Sequence, residues 1–112
     1  MLPEDGYLLR IFIGESDKKE GMPLYEWIVK RAKQEKLAGA TVFRGIEGFG
    51  AKSHIHTAKI LQLSTDLPII IEIIDTPAKI DAFMPIVDEV VLDGLATLEK
   101  ATIRLYRTDS KK

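Results

Sequence analysis

Hydrophobic residues follow two rhythms along this chain. Residues 7–13 (YLLRIFI), 40–44 (ATVFR) and 68–75 (PIIIEIID) are runs rich in β-branched and aromatic side chains, bounded by glycine, proline or charge, and they read as strands. Residues 96–106 contain a fourth. Two other stretches repeat at helical spacing: Leu24, Ile28 and Ala32 with Tyr25, Trp27 and Val29 beside them, then Ile80, Phe83, Met84, Val87 and Val91. Pro23 suits the first turn of the first helix, which runs to about Lys36, and Gly39 closes that unit. Thr76-Pro77 supplies an N-cap and a first-turn proline for the second helix, and Asp93-Gly94 stops it. Pro85 lies inside the second pattern, removes one backbone donor and predicts a kink or a restart.

The order is therefore β-α-β-β-α-β, the ferredoxin-like pattern. It predicts an α+β sandwich, an antiparallel sheet with two helices on one face, and strand order 4-1-3-2. In the first strand Tyr7, Leu9, Ile11 and Ile13 share one side, and Leu8, Arg10 and Phe12 the other. In the third strand Ile69, Ile71 and Ile73 oppose Ile70, Glu72 and Ile74. Both sides are largely apolar, so the helix-free face calls for cover by subunit association. Arg10 and Glu72 fall on adjacent strands of that face, where they are placed to pair as an interface ion pair that fixes subunit register, a ligand role being the alternative.

Composition narrows the function. The chain has 112 residues, 46% of them hydrophobic, which is enough for one domain spanning residues 1–112 with a long loop at about 45–66. The formal net charge of −1 offers no general attraction to nucleic acid or anionic membrane. No cysteine is present, so disulfides and thiolate chemistry are excluded, which suits the cytoplasm. The acidic start does not read as a signal peptide, and the apolar run at 67–74 is too short to span a bilayer.

The densest chemical motif is Arg44-Gly45-Ile46-Glu47-Gly48-Phe49-Gly50-Ala51-Lys52-Ser53, directly after the second strand. Glycines permit positive φ and close approach, successive N–H groups can cradle an anion, and Arg44 and Lys52 add positive charge. A phosphate or nucleotide cradle and an ordinary glycine-rich hairpin loop both fit this spacing. A P-loop does not, because Ala51 separates Gly50 from Lys52. His54 and His56 share one side of an extended segment and could begin a metal site, but no third ligand lies nearby in sequence. The candidate carboxylates are Glu15 and Asp17 in a charged turn, Asp75, and Asp88 with Glu89 on a solvated helix face. No convergent acid, base or nucleophile is visible, and the reading is of a protein without catalytic residues and without a required cofactor.

Ile13-Gly14-Glu15-Ser16-Asp17, Pro23-Leu24-Tyr25, Ala38-Gly39-Ala40-Thr41-Val42 and Arg44-Gly45-Ile46-Glu47-Gly48-Phe49-Gly50 resemble the uncharacterised family DUF190, or UPF0166. So do Lys59-Ile60-Leu61, Asp66-Leu67-Pro68 and Ile71-Glu72-Ile73. That family is similar in fold to the PII signal-transduction proteins. The resemblance implies a homotrimer with an adenine nucleotide (AMP, ADP or ATP) in clefts between subunits. It implies a nucleotide site of Arg44, Gly45, Gly48, Phe49, Gly50, Lys52, Gly94 and Arg104. It also implies a long loop that reports to a regulated protein. Gly94 stands alone where PII carries a longer Gly-Asp-Gly-Lys loop, which implies a ligand with fewer phosphates or a different one. The alternatives are a ligand-free module docking on a membrane transporter, and a metal-binding protein using His54 and His56.

Overall fold

The structure is a computed structural model that describes residues 5–48 and 66–108, and the backbone of 56–57. Its elements are β1 (Asp5–Gly14), β2 (Lys18–Lys19), β3 (Met22–Pro23), α1 (Leu24–Gln34), β4 (Ala40–Arg44), β5 (Glu47–Gly48), β6 (His56–Thr57), β7 (Pro68–Asp75), α2 (Pro77–Val90) and β8 (Leu95–Thr102). The four long strands form one antiparallel sheet in the order β4-β7-β1-β8, which is the expected 4-1-3-2 arrangement read from the other edge.

Both faces of the central strands are largely apolar, and the position of the two helices decides which face is core. Leu9, Ile11 and Ile13 of β1 and Ile69, Ile71 and Ile73 of β7 are buried beneath Leu24, Ile28 and Ala32 of α1 and Ile80, Phe83, Val87 and Val90 of α2. Each such large side chain contributes roughly 1.5–3 kcal/mol when fully buried. The opposite face carries Leu8, Arg10 and Phe12 of β1 beside Ile70, Glu72 and Ile74 of β7, with Thr41 and Phe43 of β4 and Leu95, Thr97 and Glu99 of β8 in register. Within one chain Phe43 (47%), Ile74 (42%) and Leu95 (57%) stay exposed there.

Arg10 and Glu72 are direct cross-strand partners, with Arg10 Nε donating to Glu72 Oε2 at 2.8 Å. Arg10 also pairs with Glu99 on β8. The hydrogen bond to Glu72 is the main cause raising the Arg10 pKa above its ordinary value, with the nearby Glu99 charge assisting against desolvation. A part-exposed pair of this kind contributes little to stability, and its clearer effect is to hold three strands in one register.

Local structure departs from the sequence reading in several places. The charged segment after β1 is a small hairpin, β2–β3, turned by Glu20 (φ 54°) and Gly21 (φ 80°). Two successive positive φ values match the right-handed twist of the flanking strands, and only Gly21 advertises this in the sequence. Pro23 is consequently extended (φ −55°, ψ 136°) and sits just before the helix rather than in its first turn. Helix α1 is closed before Gly39 by Lys36 (φ 62°), the residue after its C-cap Glu35, with Lys36 N–H donating to the Lys33 carbonyl and Leu37 N–H to that of Ala32. Those two bonds form a Schellman cap with lysine in the position glycine usually fills. Helix α2 does not restart at Pro85: it runs through it, with Pro85 on the exposed side and Ile80, Phe83, Val87 and Val90 still packed. There the carbonyl deprived of its partner lies on the solvent side, which lessens the penalty.

Candidate functional site

One rim of the sheet gathers most of the described residues of the expected site. Arg44 ends β4, Pro68 begins β7, Gly14 ends β1 and Leu95, opposite Phe12, begins β8. Gly45 leaves the sheet here with its N–H donating 2.7 Å to the Pro68 carbonyl. Beyond it, Glu47 and Gly48 pair with Thr57 and His56, so a short two-stranded ladder stands in the stretch expected as a long loop.

Glycine is required at this rim for closeness. A Cβ at Gly45 would lie 2.6 Å from Cγ of Pro68, and one at Gly48 would lie 3.0 Å from the same atom. A Cβ at Gly94 would come 2.5 Å from the Phe12 carbonyl oxygen. Among the described glycines only Gly21 has positive φ. The freedom of φ invoked for Gly45 and Gly48 is therefore not used; both make room for the Pro68 ring. Gly45→Ala is expected to destabilise the protein by about 1–3 kcal/mol through this overlap. The midpoint of urea unfolding measures it.

Arg44 reaches along the rim to Glu15, its Nη2 lying 3.0 Å from both carboxylate oxygens. Glu15 belongs to a tightly bonded turn. Its N–H donates to the Leu67 carbonyl at 2.8 Å, Ser16 N–H to Asp66 Oδ1 at 2.8 Å, and Gly14 N–H to Asp17 Oδ2 at 3.0 Å. Leu24 N–H donates to the Asp17 carbonyl at 2.7 Å, linking the turn to α1. The sequence named Glu15 and Asp17 only as candidate carboxylates. Pro68 was not singled out as a site residue, and the Asp66-Leu67-Pro68 run leading into β7 was its only signal.

Other expected residues fall elsewhere. Arg104 follows β8, whose Thr102 is opposite Asp5, at the far end of the sheet from Arg44. A strand of this length puts roughly 25 Å between the two ends, so a single chain does not bring Arg104 to Arg44. Gly94 shares the rim but lies three strands across from Gly45, roughly 14 Å away. Phe49, Gly50, Lys52 and His54 lie outside the described residues, as does the side chain of His56. Among the described residues no three His, Asp or Glu side chains cluster as a metal site. Asp75, the remaining interior carboxylate, is buried and accepts from Ala38 N–H at 2.7 Å and Thr76 N–H at 2.6 Å. Asp88 and Glu89 are exposed on α2. No helix of the described residues is long and apolar enough to cross a membrane.

A four-stranded antiparallel sheet in this order with two helices on one face is the ferredoxin-like fold, and PII-like proteins share it. Two solved structures of CPII from Thiomonas intermedia K12 superpose on it. One, bound to ADP and bicarbonate, has a TM-score of 0.59 at 14% identity. The other, described as a nitrogen regulatory PII-like protein and bound to ADP, AMP and bicarbonate, has a TM-score of 0.56 at 15% identity. Each comparison covers 88% of this chain and 88% of the other. Residues 6–103 match the family DUF190, described as "Uncharacterized ACR, COG1993", and this chain belongs to that family. A UPF0166 protein of Aquifex aeolicus is 43% identical over 98 residues, covering 86% of this chain and 90% of that protein. A UPF0166 protein of Methanocaldococcus jannaschii is 39% identical over 84 residues, covering 75% and 77%.

Proposed function

We propose that this protein is a PII-like regulator that binds an adenine nucleotide, whether AMP, ADP or ATP, in clefts between the subunits of a homotrimer. The observation that carries the reading is the rim itself. Arg44, an exposed cation, stands at the foot of a glycine-bearing loop on a fold shared with the ADP-bound CPII. A guanidinium offers the forked donors that phosphate oxygens need. Gly45 and Gly48 bring backbone close to the start of β7 beside it.

The helix-free face supports association. Phe43, Ile74 and Leu95 are exposed in one chain, and a second and third copy of that face would cover them. Association also accounts for Arg104: at the far end of its own sheet, it would serve the cleft of a neighbouring subunit. The segment between Gly48 and Asp66, including Lys52, would report occupancy to a regulated protein in the cytoplasm. The reading assigns no catalysis: Glu15, Asp17 and Asp75 are engaged in an ion pair, a turn and a helix-start tie.

Arg44→Ala tests the site. Loss of a charged hydrogen bond to phosphate is expected to weaken ADP binding by about 10- to 100-fold. Calorimetric titration of wild type and variant measures it, and equal affinities would contradict the assignment.

A further inference from the structure

We propose that Glu15 is a built-in competitor for Arg44, and that an anionic ligand binds at this rim by exchanging with the Glu15 carboxylate. The inference rests on the proposed function only for the identity of the anion. Arg44 Nη2 is 3.0 Å from both Glu15 oxygens, so the pair is electrically neutral as it stands. Phosphate oxygens arriving at Arg44 meet a guanidinium whose charge is already answered at the closest distance available.

The placement of Glu15 is built by the fold. Arg44 is on edge strand β4 and Glu15 follows β1, with β7 between them, so the pair bridges roughly 10 Å across the sheet. The turn is held by Glu15 N–H on the Leu67 carbonyl and Ser16 N–H on Asp66 Oδ1, which fixes the carboxylate over the start of β7. The Arg44 side chain is 57% exposed and that of Glu15 29%, so an incoming anion meets the guanidinium first. The same turn therefore contacts both ends of segment 45–65, Arg44 on one side and Asp66 with Leu67 on the other. Displacing Glu15 from Arg44 changes the bonding at one end through a turn anchored to the other, which couples occupancy to that segment.

The test titrates wild type, Glu15→Gln, Arg44→Gln and the double variant with ADP and, separately, with inorganic pyrophosphate. Glu15→Gln is expected to tighten binding about fivefold, the size of one exposed ion pair, and the gain should vanish in the Arg44→Gln background. Glu15→Ala, which keeps the same backbone bonds, should behave like Glu15→Gln. Unchanged or weaker binding in both Glu15 variants, or a gain that persists without Arg44, overturns the competitor. Tighter pyrophosphate binding that depends on Arg44, with no ADP binding by any protein, keeps the competitor and removes the adenine-nucleotide reading. Failure of the Glu15 variants to bind either probe overturns the competitor as well.

Discussion

Asp75→Ala is expected to lower the stability of the protein by about 3 kcal/mol, read as a fall in the urea midpoint. The side chain is 1% exposed, and its two oxygens accept from different places: Oδ2 from Ala38 N–H at 2.7 Å, Oδ1 from Thr76 N–H at 2.6 Å. Hydrogen bonds to a charged acceptor contribute roughly 1.5–3 kcal/mol each, and removal leaves two donors without partners. Relief of the carboxylate's own desolvation offsets part of that loss. Asp75→Asn keeps one acceptor oxygen and should lose about half as much. The effect extends beyond the core, because the Ala38 carbonyl accepts from Tyr106 Oη at 3.1 Å. Loosening the α1–β4 connection therefore loosens the segment that carries Arg104. A loss below about 1 kcal/mol for Asp75→Ala would contradict this account.

Phe83→Ala is expected to cost more, about 3–5 kcal/mol, through lost transfer energy and the cavity left behind. Phe83 is 2% exposed and packs α2 into the core cluster formed with β1, β7 and α1. Asp88→Ala, on the exposed side of the same helix, is the control and should change stability by no more than about 0.5 kcal/mol. A Phe83 variant that unfolds with the wild-type midpoint would mean that α2 is not the anchor of the fold.

The fold was legible because periodicity alone carries it. The β-branched run at 68–75 and the helical spacing of Ile80, Phe83 and Val87 mark the elements, and the split βαβ order then fixes the sheet. The Arg10–Glu72 pair followed from the same logic, since two charges inside adjacent apolar strands have few other partners. What escaped was conformation held by tertiary contact. Glu20 and Lys36 take positive φ without being glycine, and Gly45 and Gly48 are glycine because Pro68 lies against them. Pro68 is far from both in sequence, so no local pattern announces it. Glu15 could be named as a carboxylate, but its partner Arg44 is reached only by folding β7 between them. Arg104 lies at the opposite end of the sheet from Arg44, a separation that strand order and length set and that the local sequence does not announce.

Binding of an adenine nucleotide at this rim is open to direct test. The most direct measurement is calorimetric titration of the purified protein with AMP, ADP, ATP and cyclic AMP. At least one of AMP, ADP and ATP is expected to bind with a dissociation constant of about micromolar or below. Absence of heat and of binding with all four would contradict it and leave the likeness to PII proteins one of fold alone.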